Sequence, residues 1–306
     1  DAVTTIIDTS YTYLNDVIDV TEDGTNYYTL ARTSGTYSST TKVCKWAMSD
    51  TSSPSACNTT SVRYGTALTT YGGEVFVLQT SSSSSYRKVI VLDATDMTKS
   101  TDFAYSNGVS AYSYTQDIDV DEDSGDLYIS YRDYYGRIRE YQRDSGGDYS
   151  AASYSQTYMY SRYHSSVTVA DDYVYTTGYY YSSYYGGIKR LSTSGGSVTT
   201  LFSSYATSGY KSSMAVTSSG DIYVASNYAY NYYSFYNWDD KIWIHEGTTG
   251  GSDYSSTASQ TLGPNPASLS ALASPVYDAS AAVGMTMSFK TSWQFYYLYE
   301  GALMES

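Results

Sequence analysis

Ile118-Asp119-Val120-Asp121-Glu122-Asp123-Ser124-Gly125-Asp126-Leu127-Tyr128-Ile129 is the stretch from which the fold is read. It alternates apolar and polar residues, breaks at an acidic turn that contains glycine, and alternates again. That pattern describes two antiparallel strands joined by a short connection. The same phrase returns along the chain. Ile18-Asp19-Val20 precedes a turn at Glu22–Gly24 and a strand at Asn26–Leu30. Met214-Ala215-Val216 precedes Thr217–Gly220 and Asp221–Val224. Looser copies begin at Leu68, Val167 and Ala281.

The second apolar position of each copy serves as a register mark, and the marks fall at 20, 70, 120, 169, 216 and 283. Their steps are 50, 50, 49, 47 and 67. A period near 50 is the length of a four-stranded propeller blade. The long last step holds Pro264, Pro266 and Pro275 and reads as an inserted loop at about 262–278. Six residues before the marks stand Leu14, Tyr64, Tyr114, Tyr163, Tyr210 and Tyr277, an independent sign of the repeat. A third strand also recurs, often opened by a basic residue, as in Lys42–Trp46, Lys88–Leu92, Arg137–Tyr141 and Lys241–His245. The last copy lacks a fourth strand, while Ala2–Ile6 nearly repeats Ser197–Leu201. Residues 2–9 are therefore expected to close the last blade. The expected fold is all-β: one six-bladed β-propeller domain over residues 1–306, built of four-stranded blades.

Gly125–Ile129 and Gly220–Val224 carry a Gly-Asp-apolar-Tyr-apolar phrase. On it the repeat resembles the β-propeller superfamily, nearest to NHL/SMP-30-like blades. The resemblance extends over nearly the whole chain and implies a fold, not a task.

Composition narrows the setting. Tyr supplies 41 of 306 residues, and Tyr with Thr favours strands. Only 17 residues are Lys or Arg and the net charge is −14, which excludes a phosphate backbone as the expected partner. No apolar run of 18 residues exists, so no membrane span is expected. The chain opens on a polar, strand-like segment, as a mature secreted protein would. Cys44 and Cys57 flank a turn around Pro54, and antiparallel pairing about it would join them in a disulfide. Asn58-Thr59-Thr60 is an N-glycosylation acceptor triplet. Together these features predict an extracellular or cell-surface protein.

Catalytic sets are not found. His164 and His245 are the only histidines, and neither has metal-ligand spacing. Asp119, Asp121 and Asp123 share the alternate spacing of a calcium loop, but Ser124 stands at the sharp-turn glycine position, and the run reads as an acidic hairpin turn. No nucleophile elbow is seen. Asp16, Asp117 and Asp278 could ring a channel mouth as hydrolase or lyase carboxylates. No cofactor is expected.

Strand direction sorts the loops onto two faces. One face collects Tyr, including Tyr179, Tyr180, Tyr181, Tyr184 and Tyr185 in one loop, and Tyr228, Tyr230, Tyr232, Tyr233 and Tyr236 in another. The other collects acids, such as Glu22, Asp23, Asp121–Asp123, Asp171 and Asp172. Tyr buries large area at low rotamer cost and keeps a polar tip, so it suits contact surfaces. The leading expectation is a non-enzymatic structural or adhesive protein that assembles with copies of itself through the Tyr-rich face. A propeller module that binds glycans or peptides is the first alternative, and the channel-carboxylate enzyme the second.

Overall fold

The fold is described from a computed structural model, over residues 16–33, 40–80, 87–105, 114–132, 137–151, 157–158, 163–179, 186–202, 212–217, 220–226, 240–246 and 255–262. The first sheet comprises β1 (Asp16–Glu22), β2 (Asn26–Arg32), β3 (Thr41–Ala47) and β4 (Ala56–Asn58). The second comprises β5 (Gly65–Tyr71), β6 (Glu74–Gln79), β7 (Lys88–Asp93) and β8 (Lys99–Ala104). The third comprises β9 (Tyr114–Val120), β10 (Leu127–Arg132), β11 (Arg137–Arg143) and β12 (Tyr149–Ala151), with β13 (Thr157–Tyr158) also paired to β11. The fourth comprises β14 (Tyr163–Ala170), β15 (Tyr173–Tyr179), β16 (Gly186–Ser192) and β17 (Thr199–Phe202). The fifth comprises β18 (Ser212–Val216), β19 (Ile222–Ser226), β20 (Asp240–Glu246) and β21 (Ser255–Leu262).

Each sheet is an antiparallel meander whose spatial order follows the chain, which is the propeller-blade plan. The first strands meet one another: β1 packs on β5, β5 on β9, β9 on β14 and β14 on β18. They are therefore the inner strands. The expected sixth unit, the mark at 283 and the closing strand 2–9 lie outside the described residues. Among the described residues no helix is long and apolar enough to cross a membrane.

Strand alternation builds the core between sheets. In β6, Val75 and Val77 pack with Tyr28, Leu30 and Val43 of the first sheet. The intervening Phe76 and Leu78 pack with Ile118, Leu127 and Ile129 of the third. Tyr128 turns the other way, onto Val167 and Val174 of the fourth sheet, and Tyr175 in turn packs with Met214 and Ile222 of the fifth. Period-two alternation thus gives every interior sheet two buried faces, which explains the near-continuous apolar runs at Val75–Leu78 and Val89–Leu92.

A β-bulge recurs in the inner strands, at Ile18, Thr66, Gln116 and Ser165. The residue after it is Asp19, Ala67, Asp117 or Ser166, opposite Leu30, Leu78, Ser130 or Thr177. Asp19 and Asp117 do the same work there. Asp19 accepts the N–H of Val20 at 2.9 Å and that of Leu68 in the next sheet at 2.8 Å. Asp117 accepts the N–H of Ile118 at 2.9 Å and that of Val167 in the next sheet at 2.9 Å. The pairing makes Asp19 the counterpart of Asp117, so Glu22 is the counterpart of Val120, two residues beyond the sequence mark at Val20.

Further side chains bridge the same strands. Asp119 accepts the Thr69 hydroxyl at 3.1 Å on one side and the Val169 N–H at 2.8 Å on the other. The Thr70 hydroxyl donates to the Glu22 carbonyl at 2.8 Å, and the Thr168 hydroxyl to the Met214 carbonyl at 2.9 Å.

Two outcomes are expected. Asp117→Ala orphans two buried N–H groups and should lower unfolding free energy by ~2–4 kcal/mol in urea titration, with Asp117→Asn intermediate. The far face of the first sheet is also informative: Ala31, Cys44 and Trp46 are 0% exposed there, although the second sheet packs on the opposite face. If residues 263–306 form the closing unit, their removal should make Trp46 reactive in hydroxyl-radical footprinting; unchanged protection would argue against that closure.

Candidate functional site

Strand pairing fixes what shares an end of each sheet. The starts of β5, β9 and β14 lie level with the ends of β6, β10 and β15. Tyr114 faces Arg132 across the ladder, and Tyr163 faces Tyr179. The end of β15 at Tyr179 and the start of β16 at Gly186 therefore lie at the same end as the inner-strand starts. Tyr180, Tyr181, Tyr184 and Tyr185, together with Tyr228, Tyr230, Tyr232, Tyr233, Tyr236 and Asp278, lie outside the described residues. Tyr179 is the last residue of β15.

Tyr64 is the best-defined aromatic at this end. Among the described residues it is the one large hydrophobic classed as exposed, at 38%. Its φ is 54°, a left-handed conformation costly for a residue with a Cβ. Its surroundings hold it there. The Tyr64 carbonyl accepts the Thr80 N–H at 3.0 Å, and the next N–H, of Gly65, donates to the Thr41 hydroxyl at 3.2 Å. Gly65 itself admits no side chain, since a Cβ would sit 2.8 Å from Leu30 Cδ1. Basic residues stand at the same end beside acids: Arg32 closes β2 opposite Asp16, Arg63 precedes β5, Lys42 is the second residue of β3, Arg137 opens β11, and Lys88, which opens β7, pairs with Asp102 at 2.9 Å. Burial holds the Lys42 ammonium below the usual lysine range. The sequence reading did not place these residues together, although the basic residue that opens the third strands was its signal.

The opposite end carries the turns, and there acids cap the backbone. Asp23 accepts the N–H groups of Thr25 at 2.9 Å and Asn26 at 2.8 Å and the Tyr28 hydroxyl at 2.6 Å. Asp50, Asp93, Asp96 and Asp121 each accept the N–H two residues on, and Asp144 accepts those of Gly146 and Asp148. These are Asx-type turns, in which the carboxylate stands in for a backbone carbonyl. At this end Arg143 bonds Glu74 across two sheets at 3.2 Å and lies over the Tyr71 ring. Gly125 is needed beside them: its φ is +78°, and a Cβ would lie 2.5 Å from Tyr71 Cε1.

The proposed site residues sort as follows. Cys44 and Cys57 face each other across β3 and β4 and are joined in a disulfide, which points to an oxidising compartment. Asn58 is 7% exposed, and its Nδ2 donates to the Met97 carbonyl of the next sheet at 2.9 Å. A glycan on that nitrogen would have to displace this bond. Asp119, Asp121 and Asp123 are not gathered into a calcium loop: Asp119 bridges Thr69 and Val169, while Asp121 caps the Asp123 N–H. Among the described residues no three His, Cys, Asp or Glu could hold a metal ion. Asp117, a channel carboxylate only in the second alternative, accepts backbone N–H groups inside the inner-strand layer, and Asp16 opens β1 opposite Arg32. His164 lies in β14 beside the bulge, and His245 in β20 opposite Ile222.

No protein-family model matches the chain, and no curated protein does. Solved structures of similar shape exist. A candidate 6-phosphogluconolactonase from Bacteroides uniformis is similar with a TM-score of 0.57 and 15% identity, over 86% of this chain and 75% of that one. A second, from Bacteroides fragilis, is similar with a TM-score of 0.58 and 11% identity, over 80% of this chain and 70% of that one. At such identities the likeness is one of fold, and it places the chain broadly among propeller-like proteins.

Burial alone would raise the Asp23 carboxyl, but hydrogen bonds from Tyr28, Thr25 and Asn26 outweigh it and hold Asp23 well below the usual carboxylate range. A depressed folded-state pKa stabilises above the unfolded value and is lost as pH falls toward the folded one. Asp23→Asn should therefore cost under ~1 kcal/mol at neutral pH, given the exposure of the site. In urea titrations the gap from wild type should close progressively below about pH 4.

Proposed function

We propose that this chain is a non-catalytic, extracellular structural or adhesive protein that assembles with copies of itself through its aromatic end. The supporting observation is Tyr64, a residue 38% exposed and held in a left-handed backbone at the end where the inner strands start. A glycine would adopt this backbone at less cost, so the position keeps its side chain at an energetic expense. Exposed Tyr offers contact area with little rotamer entropy to lose. The disulfide suits an exterior compartment.

The fold likeness to candidate lactonases suggests an enzymatic reading, lactone hydrolysis at the inner-strand mouth. What weighs against it is the use of Asp19, Asp117 and Asp119 as backbone acceptors between sheets, which leaves them poorly placed as general acids or bases. Turnover of 6-phosphogluconolactone by the purified chain would favour that reading over ours.

Tyr64→Gly separates the two roles of the residue. It should leave the monomer as stable as wild type or more so, by up to ~1 kcal/mol, because the left-handed backbone no longer carries a Cβ. It should also weaken self-assembly followed by light scattering and electron microscopy. A variant that is less stable yet assembles normally would make Tyr64 a structural residue only.

A further inference from the structure

Asn58-Thr59-Thr60 is the only Asn-x-Ser/Thr triplet in the chain, and the fold turns its acceptor inward. Thr59 and Thr60 are exposed, whereas Asn58 is buried. Both ends of the Asn58 amide are engaged. Its Oδ1 accepts the N–H of Thr60 at 3.3 Å and that of Ser61 at 3.0 Å, which closes an Asx-type turn. Its Nδ2 donates to the carbonyl of Met97, a buried residue with a left-handed φ of 64°. A second bond fixes the same turn, from Lys45 Nζ of β3 to the Ala94 carbonyl at 2.8 Å. Ala56 packs against the apolar cluster that holds Ala94 and Met97. Asn58 thus clamps the turn between β7 and β8 onto the edge of the first sheet.

The strand that presents Asn58 is short. β4 pairs with β3 through Val43 with Asn58, Cys44 with Cys57 and Lys45 with Ala56. Cys57, next to Asn58, is tied to the fully buried Cys44 by the disulfide. We propose that closure of Cys44–Cys57 shuts the Asn58 acceptor, so that the oxidised, folded chain stays unglycosylated there and a chain lacking that link opens the amide to glycosylation. The proposal rests on the extracellular reading and is independent of self-assembly. Glycosyl transfer forms a bond from Nδ2 to the anomeric carbon of a lipid-linked oligosaccharide, releases the lipid pyrophosphate and gives up one amide proton. That chemistry needs Nδ2 free of the Met97 carbonyl and open to a bulky donor. Disulfide closure, in which two thiols lose two electrons and two protons to a disulfide oxidant of the same compartment, removes both conditions by fixing β4 in its ladder.

The test expresses the full chain behind a leader in a secretory host that N-glycosylates, with glycan occupancy read by peptide mass spectrometry on total and exported protein. Asp50→Asn supplies the control. It makes an acceptor triplet with Thr51 and Ser52 on the turn between β3 and β4, where Asp50 and Ser52 are exposed, and keeps a side-chain oxygen for the Ser52 N–H. Occupancy at Asn58 is expected below ~10% in wild type and at least ~5-fold higher in Cys44→Ala, because opening of the short ladder no longer requires a bond to break. A dithiothreitol pulse during synthesis of wild type should act in the same direction. Position 50 of Asp50→Asn should be occupied in most copies. The clamp has its own readout. Thr60→Ala destroys the triplet and spares the Asn58 side chain, so it should keep the wild-type urea midpoint, whereas Asn58→Gln should lower it.

Folded, exported wild type with the disulfide intact and Asn58 mostly glycosylated would overturn the proposal. So would a Cys44→Ala chain as bare at Asn58 as wild type is. Equal midpoints for Asn58→Gln and Thr60→Ala would remove the clamp on which it stands. A bare position 50 would show that exposure does not decide acceptance in this chain and would overturn it as well. None of these outcomes touches self-assembly, which light scattering reads separately. Free thiols at Cys44 and Cys57 in the exported chain would remove the proposal together with the disulfide argument for an exterior compartment.

Discussion

The five sheets among the described residues have a weak place: their inner strands approach one another without a shared ladder, so each described inner strand pairs along one edge only. A buried N–H without an acceptor costs more than an ordinary hydrogen bond returns. Asp19 and Asp117 resolve this by carrying an acceptor across the gap to the N–H of Leu68 and Val167. The apolar layers between the sheets give adhesion without register, since Val, Leu and Ile tolerate sliding. Directional carboxylate contacts set how far one sheet is shifted against the next. A bulge precedes Asp19 and Asp117 alike, so the two carboxylates occupy equivalent places in their strands.

The same economy of residues shapes the outside. Acids at the tight turns serve the local backbone, as Asp144 does for Gly146 and Asp148. Because every sheet is a meander, all such turns fall at one end. A local requirement repeated through the chain thereby repeats the same carboxylate-capped turn at that end. Tyr64 at the other end holds a left-handed backbone that would suit glycine better, as do Met97 and Asp171.

Sequence periodicity revealed the sheets because alternation and turn chemistry act over a few residues and survive in any reading of the chain. The hairpin from Ile118 to Ile129 and the Cys44–Cys57 pair are of this kind. What escaped the sequence depends on contacts some fifty residues apart. The mark at Val20 lies two residues from the structural counterpart of Val120, because the bulge at Ile18 is displaced relative to those at Thr66, Gln116 and Ser165. The sequence reading placed Asp119 in an acidic hairpin turn with Asp121 and Asp123, a local relation, whereas its bonds to Thr69 and Val169 reach across fifty residues. The placement of Arg32, Arg63, Lys88 and Arg137 at one end escaped for the same reason: they are scattered in sequence, and only strand direction brings them together.

The disulfide has a mechanical meaning. β4 is three residues long and forms the outer edge of its sheet, so few backbone bonds hold it against a pull away from β3. Under load such an edge would unzip one hydrogen bond at a time, the weakest geometry a sheet offers. Cys44–Cys57 lies within that short ladder and converts the unzipping edge into a covalent seam. A tug on the chain beyond Asn58 is then borne by β3, and through it by the packed faces of the sheet, before the outer strand can peel.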